Sequence, residues 1–355
     1  MEQQADSVNV VSIDEMRALG AELTIRETHD AVEAAWHDIR QGHAIGGKAV
    51  LSLPEDEFWA MPEFTRFKDD FRDERLGWKL SSLFSANPRF GGVKIIGANA
   101  FNRRRGYPRS TSTYVLLDKP TLRPVAILDG TAISAMRTGT YASVVTQLFL
   151  QHQATFSLFL FGAGPVARSV VDCLSLTGAG QLERIYVRSR TLESAVRFVE
   201  ETVPAGPVSL IAVDDNQRLC ECALVVTASN SRYPVFKDHE LAPDAVTLHL
   251  GGNEAPIAYL QRVLRSGVVV CDDIATVSRR NSQSLPLYFS SKGLSLETIG
   301  PLLGVGELSS GTQFSSFQPG PVCITCVGLP MLDLYVAEMT WKKYCRALQD
   351  RAQIA

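Results

Sequence analysis

The spacing of apolar positions along this chain changes several times, and each change marks an element. Val8-Asn9-Val10-Val11 reads as a short strand, with Ser12 as an N-cap ahead of a helix over 13–19. Thr24 caps a second helix, in which Ile25, Val32, Ala35, Trp36 and Ile39 keep to one helical face. Gly46-Gly47-Lys48 leads into a strand at 49–53, and 92–96 forms another with a single lysine, Lys94, among apolar neighbours. Strands over 112–118 and 124–129 are joined by a turn at Lys119-Pro120. Gly130-Thr131 then opens a helix that contains Arg137 and runs to about His152. Residues 55–75 fit neither period, because charged residues interleave with Phe58, Trp59, Phe64, Phe67 and Phe71. They read as an amphipathic surface insertion, with a lid or dimer contact as the alternative.

Period disappears at 157–167, SLFLFGAGPVA, where Leu158-Phe159-Leu160-Phe161 is apolar at every position, as in a parallel strand buried on both faces. Gly162 allows a sharp turn, Gly164 lets a pyrophosphate approach the backbone, and small Ala167 lets the next helix pack close. Pro165 and Val166 then open that helix, whose free N–H groups and dipole favour phosphate. By itself G-x-G-x-x-A also describes a turn that binds nothing. The helical pattern that follows and a second apolar strand at 184–187 complete a βαβ unit of the dinucleotide-binding type.

The second strand ends in Arg188-Ser189-Arg190-Thr191, with no acid where a carboxylate would hold the ribose 2′-hydroxyl of NAD. A hydroxyl between two guanidinium groups suits a 2′-phosphate, so NADP(H) is the expected cofactor and NAD(H) the alternative. Solvated surface arginines are the plainer explanation of each residue taken singly.

Composition narrows the class. The chain has 355 residues, long enough for about two domains. At 45% apolar and 21% charged it is an ordinary globular protein, and its net charge of −3 gives no electrostatic case for nucleic acid or an anionic membrane. The polar, acidic start MEQQADSVNV is unlike a signal peptide, and no stretch approaches the ~18 apolar residues of a membrane span, so a cytoplasmic location is expected. Seven cysteines suggest reduced thiols. Neither close pair, Cys220/Cys222 or Cys323/Cys326, has a zinc-site partner at suitable spacing, so no metal is expected.

The candidate substrate chemistry is cationic. A buried lysine needs an anionic partner or a depressed pKa, which makes Lys94 a carboxylate ligand or an acid–base group. Arg137, near the start of its helix, is the second candidate, and Lys48 and Arg109 are further ones. His249 sits inside an apolar strand, where a satisfied core histidine is the simpler reading.

Read in order, Lys94 with Asn102 and Gly106-x-Pro108, Ala126-Ile127-Leu128-Asp129-Gly130, Ala135-x-Arg137-Thr138, the glycine turn, Ile324-Thr325-Cys326-Val327-Gly328 and Leu332-Asp333-Leu334 resemble the ornithine cyclodeaminase/μ-crystallin family. The resemblance implies an α/β protein with a Rossmann NAD(P)-binding domain (133–319) and an α+β substrate-binding and dimerisation domain built from 1–132 and 320–355. It implies a homodimer with a small amino-acid-like substrate, whose carboxylate Lys94 and Arg137 hold. Ser189-Arg190-Thr191 looks like an NADP-type strand ending, Thr227-Ala228-Ser229 would end the strand beneath the cofactor, and Val327 and Gly328 would face the nicotinamide.

The chain also departs from the family. Cyclodeaminases carry a catalytic aspartate after the fifth Rossmann strand, whereas here 247–256 reads TLHLGGNEAP. Asn253 takes the aspartate's place, and an amide cannot shuttle a proton; a shift of one residue puts Glu254 there. Gly77-Trp78-Lys79, Tyr107-Pro108-Arg109-Ser110, Val270-Cys271-Asp272-Asp273-Ile274 and 328–333 are similar to dehydrogenases of 2,3-diaminopropionate biosynthesis, which oxidise a secondary amine of an N-substituted amino acid. The expected activity is hydride transfer at the Cα–N bond of such an amino acid or its imine, with Lys94 as first proton carrier, Glu254 second and His249 third. A redox-neutral cyclodeaminase and a non-catalytic NADPH- or ligand-binding relative are the alternatives.

Overall fold

In the computed structural model, which describes residues 8–178, 180–310 and 320–354, the chain divides into two units. The first comprises the chain up to Met61, Leu76–Arg137 and the chain from Leu329 onward. Its sheet contains β1 (Asn9–Val11), β2 (Ile45–Ser52), β3 (Lys79–Ala86), β4 (Phe90–Ala98), β5 (Ser110–Asp118) and β6 (Pro124–Asp129), ordered β1-β6-β5-β4-β3-β2. All pairs are antiparallel except β1 with β6.

The alternation explains which face is covered. Along β3, Ser81, Leu83 and Ser85 are buried while Leu80 and Phe84 are exposed, the pattern of an antiparallel sheet with one face on a core. Helix Pro330–Ile354 packs on strands β2 to β5 and against helix Ile25–Arg40, which begins at a Thr24/Glu27 capping box. β2 starts earlier than its apolar run implies, because pairing with β3 extends from Ile45↔Ala86 to Ser52↔Lys79 and takes in Gly46, Gly47 and Lys48. A Cβ on Gly46 would lie 2.7 Å from Met331 Sδ, so the glycine lets the C-terminal helix approach.

The second unit is Pro62–Arg75 with Thr138–Gly328. Its strands are β7 (Phe156–Phe161), β8 (Leu182–Arg188), β9 (Ser209–Val213), β10 (Leu224–Thr227), β11 (Val246–His249), β12 (Val268–Cys271), β13 (Gly306–Glu307) and β14 (Val322–Thr325). They pair in parallel in the order β13-β12-β14-β11-β10-β7-β8-β9. Strand order reverses between β7 and β10, so the crevice at their carboxyl ends is the topological switch point where doubly wound sheets bind ligands. β7 is apolar at nearly every position because both its faces are buried.

The domain limits expected at 132/133 and 319/320 both shift. The first falls at Arg137/Thr138, inside helix Thr131–Phe149. The second falls after Gly328, because the fully buried β14 pairs with β11 and β12 and belongs to the parallel sheet. Residues 55–75 likewise divide. Phe58 and Trp59 are buried in the first unit beside Phe101, with ring centroids 5.8 and 6.5 Å from it, whereas 62–75 join the second unit with Phe71 buried. Three of the five aromatic side chains that suggested a surface insertion are therefore anchors. All seven cysteines are free, and among the described residues no helix is long and apolar enough to cross a membrane.

Gly139 marks a close helix contact in the second unit: a Cβ there would lie 2.2 Å from Ser169 Oγ and 2.4 Å from the Ser169 carbonyl oxygen. Backbone cannot move aside as a flexible side chain can. Gly139→Ala is expected to destabilise by about 2–3 kcal/mol and lower the melting temperature by roughly 5 °C or more, measured by differential scanning calorimetry.

Candidate active site

The first unit holds a buried charge cluster. Lys94 lies on the covered face of β4, in a cross-strand row with Lys48, Leu83 and Tyr114. Its Nζ is 2.5 Å from Asp333 Oδ1 and donates to Ser134 Oγ at 3.2 Å. Arg137 Nε donates to the same Asp333 oxygen at 2.7 Å. Lys94 and Asp333 are fully buried and Arg137 is 5% exposed. Asp333 Oδ2 has no hydrogen-bond partner among the described residues.

Burial is the largest influence on Lys94 and disfavours its cation. Asp333 favours the cation and Arg137 opposes it, leaving a pKa of about 7. On Asp333 burial acts in the opposite sense, but the two cations prevail and hold its carboxyl below the usual range. The three groups carry a net +1 with Lys94 protonated and zero with Lys94 neutral, a cluster that can attract an anion and also move a proton near neutral pH. Lys94 and Arg137, expected to share a task, are thus brought together, by an aspartate whose role the sequence did not reveal. The available signal was one acid inside the apolar start of the last helix, Met331-Leu332-Asp333-Leu334.

The other two substrate candidates stand apart. Lys48 shares the sheet face with Lys94 two strands away, roughly 10 Å by strand spacing, and is half-buried. Arg109 precedes β5, five positions from Tyr114, so its Cα is roughly 15 Å along the strand from the Lys94 row.

The second unit forms a glycine cradle at its switch point. Gly162 has φ of +124°, and a Cβ there would lie 2.5 Å from the Ala228 carbonyl oxygen. Its N–H donates to Arg188 O at 2.8 Å, and Ala228 N–H donates to Phe161 O at 2.8 Å, so the ends of β7, β8 and β10 are locked together. Gly164 is the N-cap of helix Pro165–Thr177 with Pro165 in its first turn, and a Cβ on Gly164 would meet nothing within 4 Å. An open glycine at a helix N-terminus fits a pyrophosphate. Gly162, Gly164, Pro165, Val166, Thr227, Ala228 and Ser229 therefore all lie at the carboxyl edge around the switch point, and these residues fit a dinucleotide.

The turn at Val327-Gly328 is set by a residue to which the sequence assigned no role. Asp272 is fully buried, and its Oδ2 accepts from Val327 N at 2.9 Å, Gly328 N at 2.8 Å and Tyr141 Oη at 2.9 Å. Burial, outweighing these bonds, pushes its carboxyl up.

Several other expected residues are bonded into the fold. Glu254 is fully buried: Oε1 accepts from Ser229 N at 2.9 Å and from Ser229 Oγ, and Oε2 accepts from Gly252 N at 3.1 Å. Burial raises its pKa, and both oxygens brace the loop after β11 against the end of β10. Asn253 beside it is half-buried and carries only an amide. His249 is a core histidine: Nδ1 meets Thr227 Oγ1 at 3.0 Å, Nε2 meets Thr247 Oγ1 at 2.9 Å, and burial depresses its pKa to about 4. Arg188 donates to Asn216 Oδ1 at 2.6 Å, which ties its guanidinium into the fold. Arg190 pairs instead with Glu74 at 3.0 Å, with Ser189 half-buried between them in sequence. Both arginines expected at a 2′-phosphate thus have partners within the fold.

A doubly wound parallel sheet with a glycine cradle at its switch point, joined in one chain to a buried Lys–Asp–Arg cluster, defines an α/β protein of the nucleotide-dependent dehydrogenase type. A profile described as "Ornithine cyclodeaminase/mu-crystallin family" matches residues 10–286, and the chain belongs to that family. It is 23% identical over 263 residues to a Δ1-pyrroline-2-carboxylate reductase of Bacillus cereus, covering 71% of this chain and 77% of that one. It is 24% identical over 227 residues to the N-((2S)-2-amino-2-carboxyethyl)-L-glutamate dehydrogenase of Staphylococcus aureus, covering 62% and 64%. The solved Thermococcus litoralis Δ1-pyrroline-2-carboxylate reductase, in complex with NADH and L-proline, shares its fold with a TM-score of 0.77 at 18% identity, covering 96% of this chain and 98% of that one.

Asp333→Asn leaves two buried cations without their counter-charge and is expected to destabilise the protein by about 3–5 kcal/mol. Lys94 has a folded-state pKa already below its unfolded value, and the substitution lowers it further. Folded-state stability then improves as pH rises toward about 10, where unfolded lysine also loses its proton. The gap in melting temperature between Asp333→Asn and wild type is expected to be larger at pH 6 than at pH 9. An equal gap at both would show that charge is not the cause.

Proposed function

We propose that the chain is an NAD(P)-dependent oxidoreductase acting at the Cα–N bond of an N-substituted amino acid or its imine. The carrying observation is the buried Lys94–Asp333–Arg137 cluster, which provides both a site for a substrate carboxylate and a proton carrier poised near neutral pH. The relatives support it, since a Δ1-pyrroline-2-carboxylate reductase and an N-((2S)-2-amino-2-carboxyethyl)-L-glutamate dehydrogenase both act on amino-acid-like substrates. The bracing of Glu254 by Ser229 and Gly252 argues against ring-closing proton chemistry at that position.

When bound, the cofactor accepts or supplies a hydride at its nicotinamide. Gly162, Gly164, Pro165 and Val166 would hold its pyrophosphate, Thr227 to Ser229 its central part, and Val327 and Gly328, fixed by Asp272, its nicotinamide end. Arg137 and Lys94 orient the substrate carboxylate, and Asp333 keeps both cations aimed at one place. In the oxidative direction, Lys94 Nζ as the neutral amine takes the proton from the substrate nitrogen; in the reductive direction, as the ammonium, it returns it. A reduced, cytoplasmic setting accords with the seven free thiols. A homodimer accords with the bare apolar face of the antiparallel sheet, where Leu80, Phe84 and Ile95 are exposed.

The test follows nicotinamide absorbance with N-(carboxyalkyl) amino acids and cyclic imino acids, with NADH and NADPH in turn. Substrate-dependent cofactor turnover is expected, and ammonia and proline from ornithine without net turnover would overturn the proposal. Lys94→Met and Arg137→Ala should each lower kcat/KM by about 30-fold or more, as for a lost charge pair in a dry site, with nucleotide Kd unchanged. The pH profile fixes the sign: reduction, which needs protonated Lys94, should decline as pH rises through about 7, and oxidation should rise over the same range. Lys94→Met should lack that limb in both directions.

For assembly, Phe84→Arg together with Ile95→Arg is expected to convert a dimer to monomer in size-exclusion chromatography with light scattering. A wild-type monomer would sink that part of the proposal.

A further inference from the structure

We infer that Glu74 sets the preference of the nucleotide site between a ribose 2′-hydroxyl and a ribose 2′-phosphate, through its ion pair with Arg190. The inference rests on the nucleotide reading above. In a doubly wound sheet, the ribose is recognised just beyond the second strand of the first βαβ unit, where an acid accepts from the 2′-hydroxyl or an arginine accommodates the 2′-phosphate. Here that strand is β8, and the residues beyond it, Ser189 and Arg190, include no acid. The fold supplies one from more than a hundred positions earlier in the chain: Glu74 Oε1 lies 3.0 Å from Arg190 Nη1.

Glu74 is built into this position. Its side chain is 11% exposed, against 60% for Arg190. Its other oxygen accepts from Asn230 Nδ2 at 3.4 Å. The backbone on either side is fastened to the loop after β10: Arg75 N donates to Asn230 O at 3.2 Å, Arg232 N donates to Asp73 O at 3.2 Å, and Asn230 Nδ2 donates to Arg75 O at 2.6 Å. Arg232 Nη2 donates to Glu74 O at 2.9 Å, and Arg75 Nη1 reaches Ser282 O at 3.2 Å. Strap 72–75 thus belongs to the nucleotide unit, and its carboxylate is held where Arg190 must work.

The chemistry follows from charge. A ribose hydroxyl can donate to the Glu74 carboxylate while the ion pair stays intact. A 2′-phosphate must draw Arg190 away from Glu74 or sit beside a fixed negative charge, and either weakens it. Without the Glu74 charge, Arg190 is available to the phosphate as a planar, bidentate donor. Arg190 after β8 therefore makes an NADP-type ending that the strap restrains.

Titration calorimetry of the full chain with NADH and with NADPH tests this on binding alone. Glu74→Gln keeps the shape and the bond to Asn230 while removing the charge. It is expected to tighten NADPH by about tenfold or more and to change NADH by less than about threefold. Arg190→Ala should weaken NADPH selectively and abolish the gain from Glu74→Gln in the double variant. Glu74→Asp, which withdraws the carboxylate by one methylene, should shift the ratio in the same direction by less, and it serves if Glu74→Gln melts early. A ratio of dissociation constants unchanged within about twofold in both Glu74 variants overturns the inference and leaves the nucleotide reading standing. A wild-type chain that binds neither nucleotide overturns both.

Discussion

A lysine and an arginine buried on one carboxylate oxygen impose the central constraint on this molecule. A buried ammonium is tolerated only if it is paired or deprotonated, and Lys94 is held close to the balance between the two. Three elements far apart in sequence must meet to achieve this: β4 brings Lys94, helix Thr131–Phe149 brings Arg137, and the C-terminal helix brings Asp333. The glycines that line the approach serve the same end. Gly46 admits the start of the C-terminal helix, and Gly92 makes room for Tyr114, whose hydroxyl would lie 2.3 Å from an added Cβ. With Lys94 protonated, the two cations and one anion leave the cluster a net positive charge in a buried place.

The nucleotide unit uses buried acids differently. Glu254 and Asp272 are both fully buried and both take backbone N–H groups, the first from Ser229 and Gly252, the second from Val327, Gly328 and Asp273. Neither is paired with a cation in these bonds. Each fixes a loop at the carboxyl edge of the parallel sheet, so the edge is preorganised before any ligand arrives. Of the two, only Glu254 was expected to carry a proton, and its accepted N–H bonds tie it to the loops it braces. His249 makes the same point, since two threonine hydroxyls satisfy its ring.

Local pattern was enough wherever a function depends on consecutive residues. The all-apolar run ending in Gly162-Ala163-Gly164-Pro165 determined a buried parallel strand, a turn open only to glycine and a helix N-terminus, because burial, positive φ and capping are properties of neighbours in the chain. The Thr24 N-cap and the lone Lys94 in an apolar strand were legible for the same reason. The family itself was legible in the order of its motifs.

Partnership between distant residues was decided only by tertiary structure. Nothing near Lys94 in sequence points to Asp333, nothing near Arg190 points to Glu74, and nothing near Gly328 points to Asp272. The placement of β14 between β11 and β12, which moved the expected domain limit to Gly328, was equally invisible, since a four-residue buried strand reads alike in any sheet. The physical reason is common to all four. Charge and hydrogen-bond satisfaction act over a few ångströms in space whatever the separation along the chain, so a sequence can show that a buried charge needs a partner, and only the fold can say which residue it is.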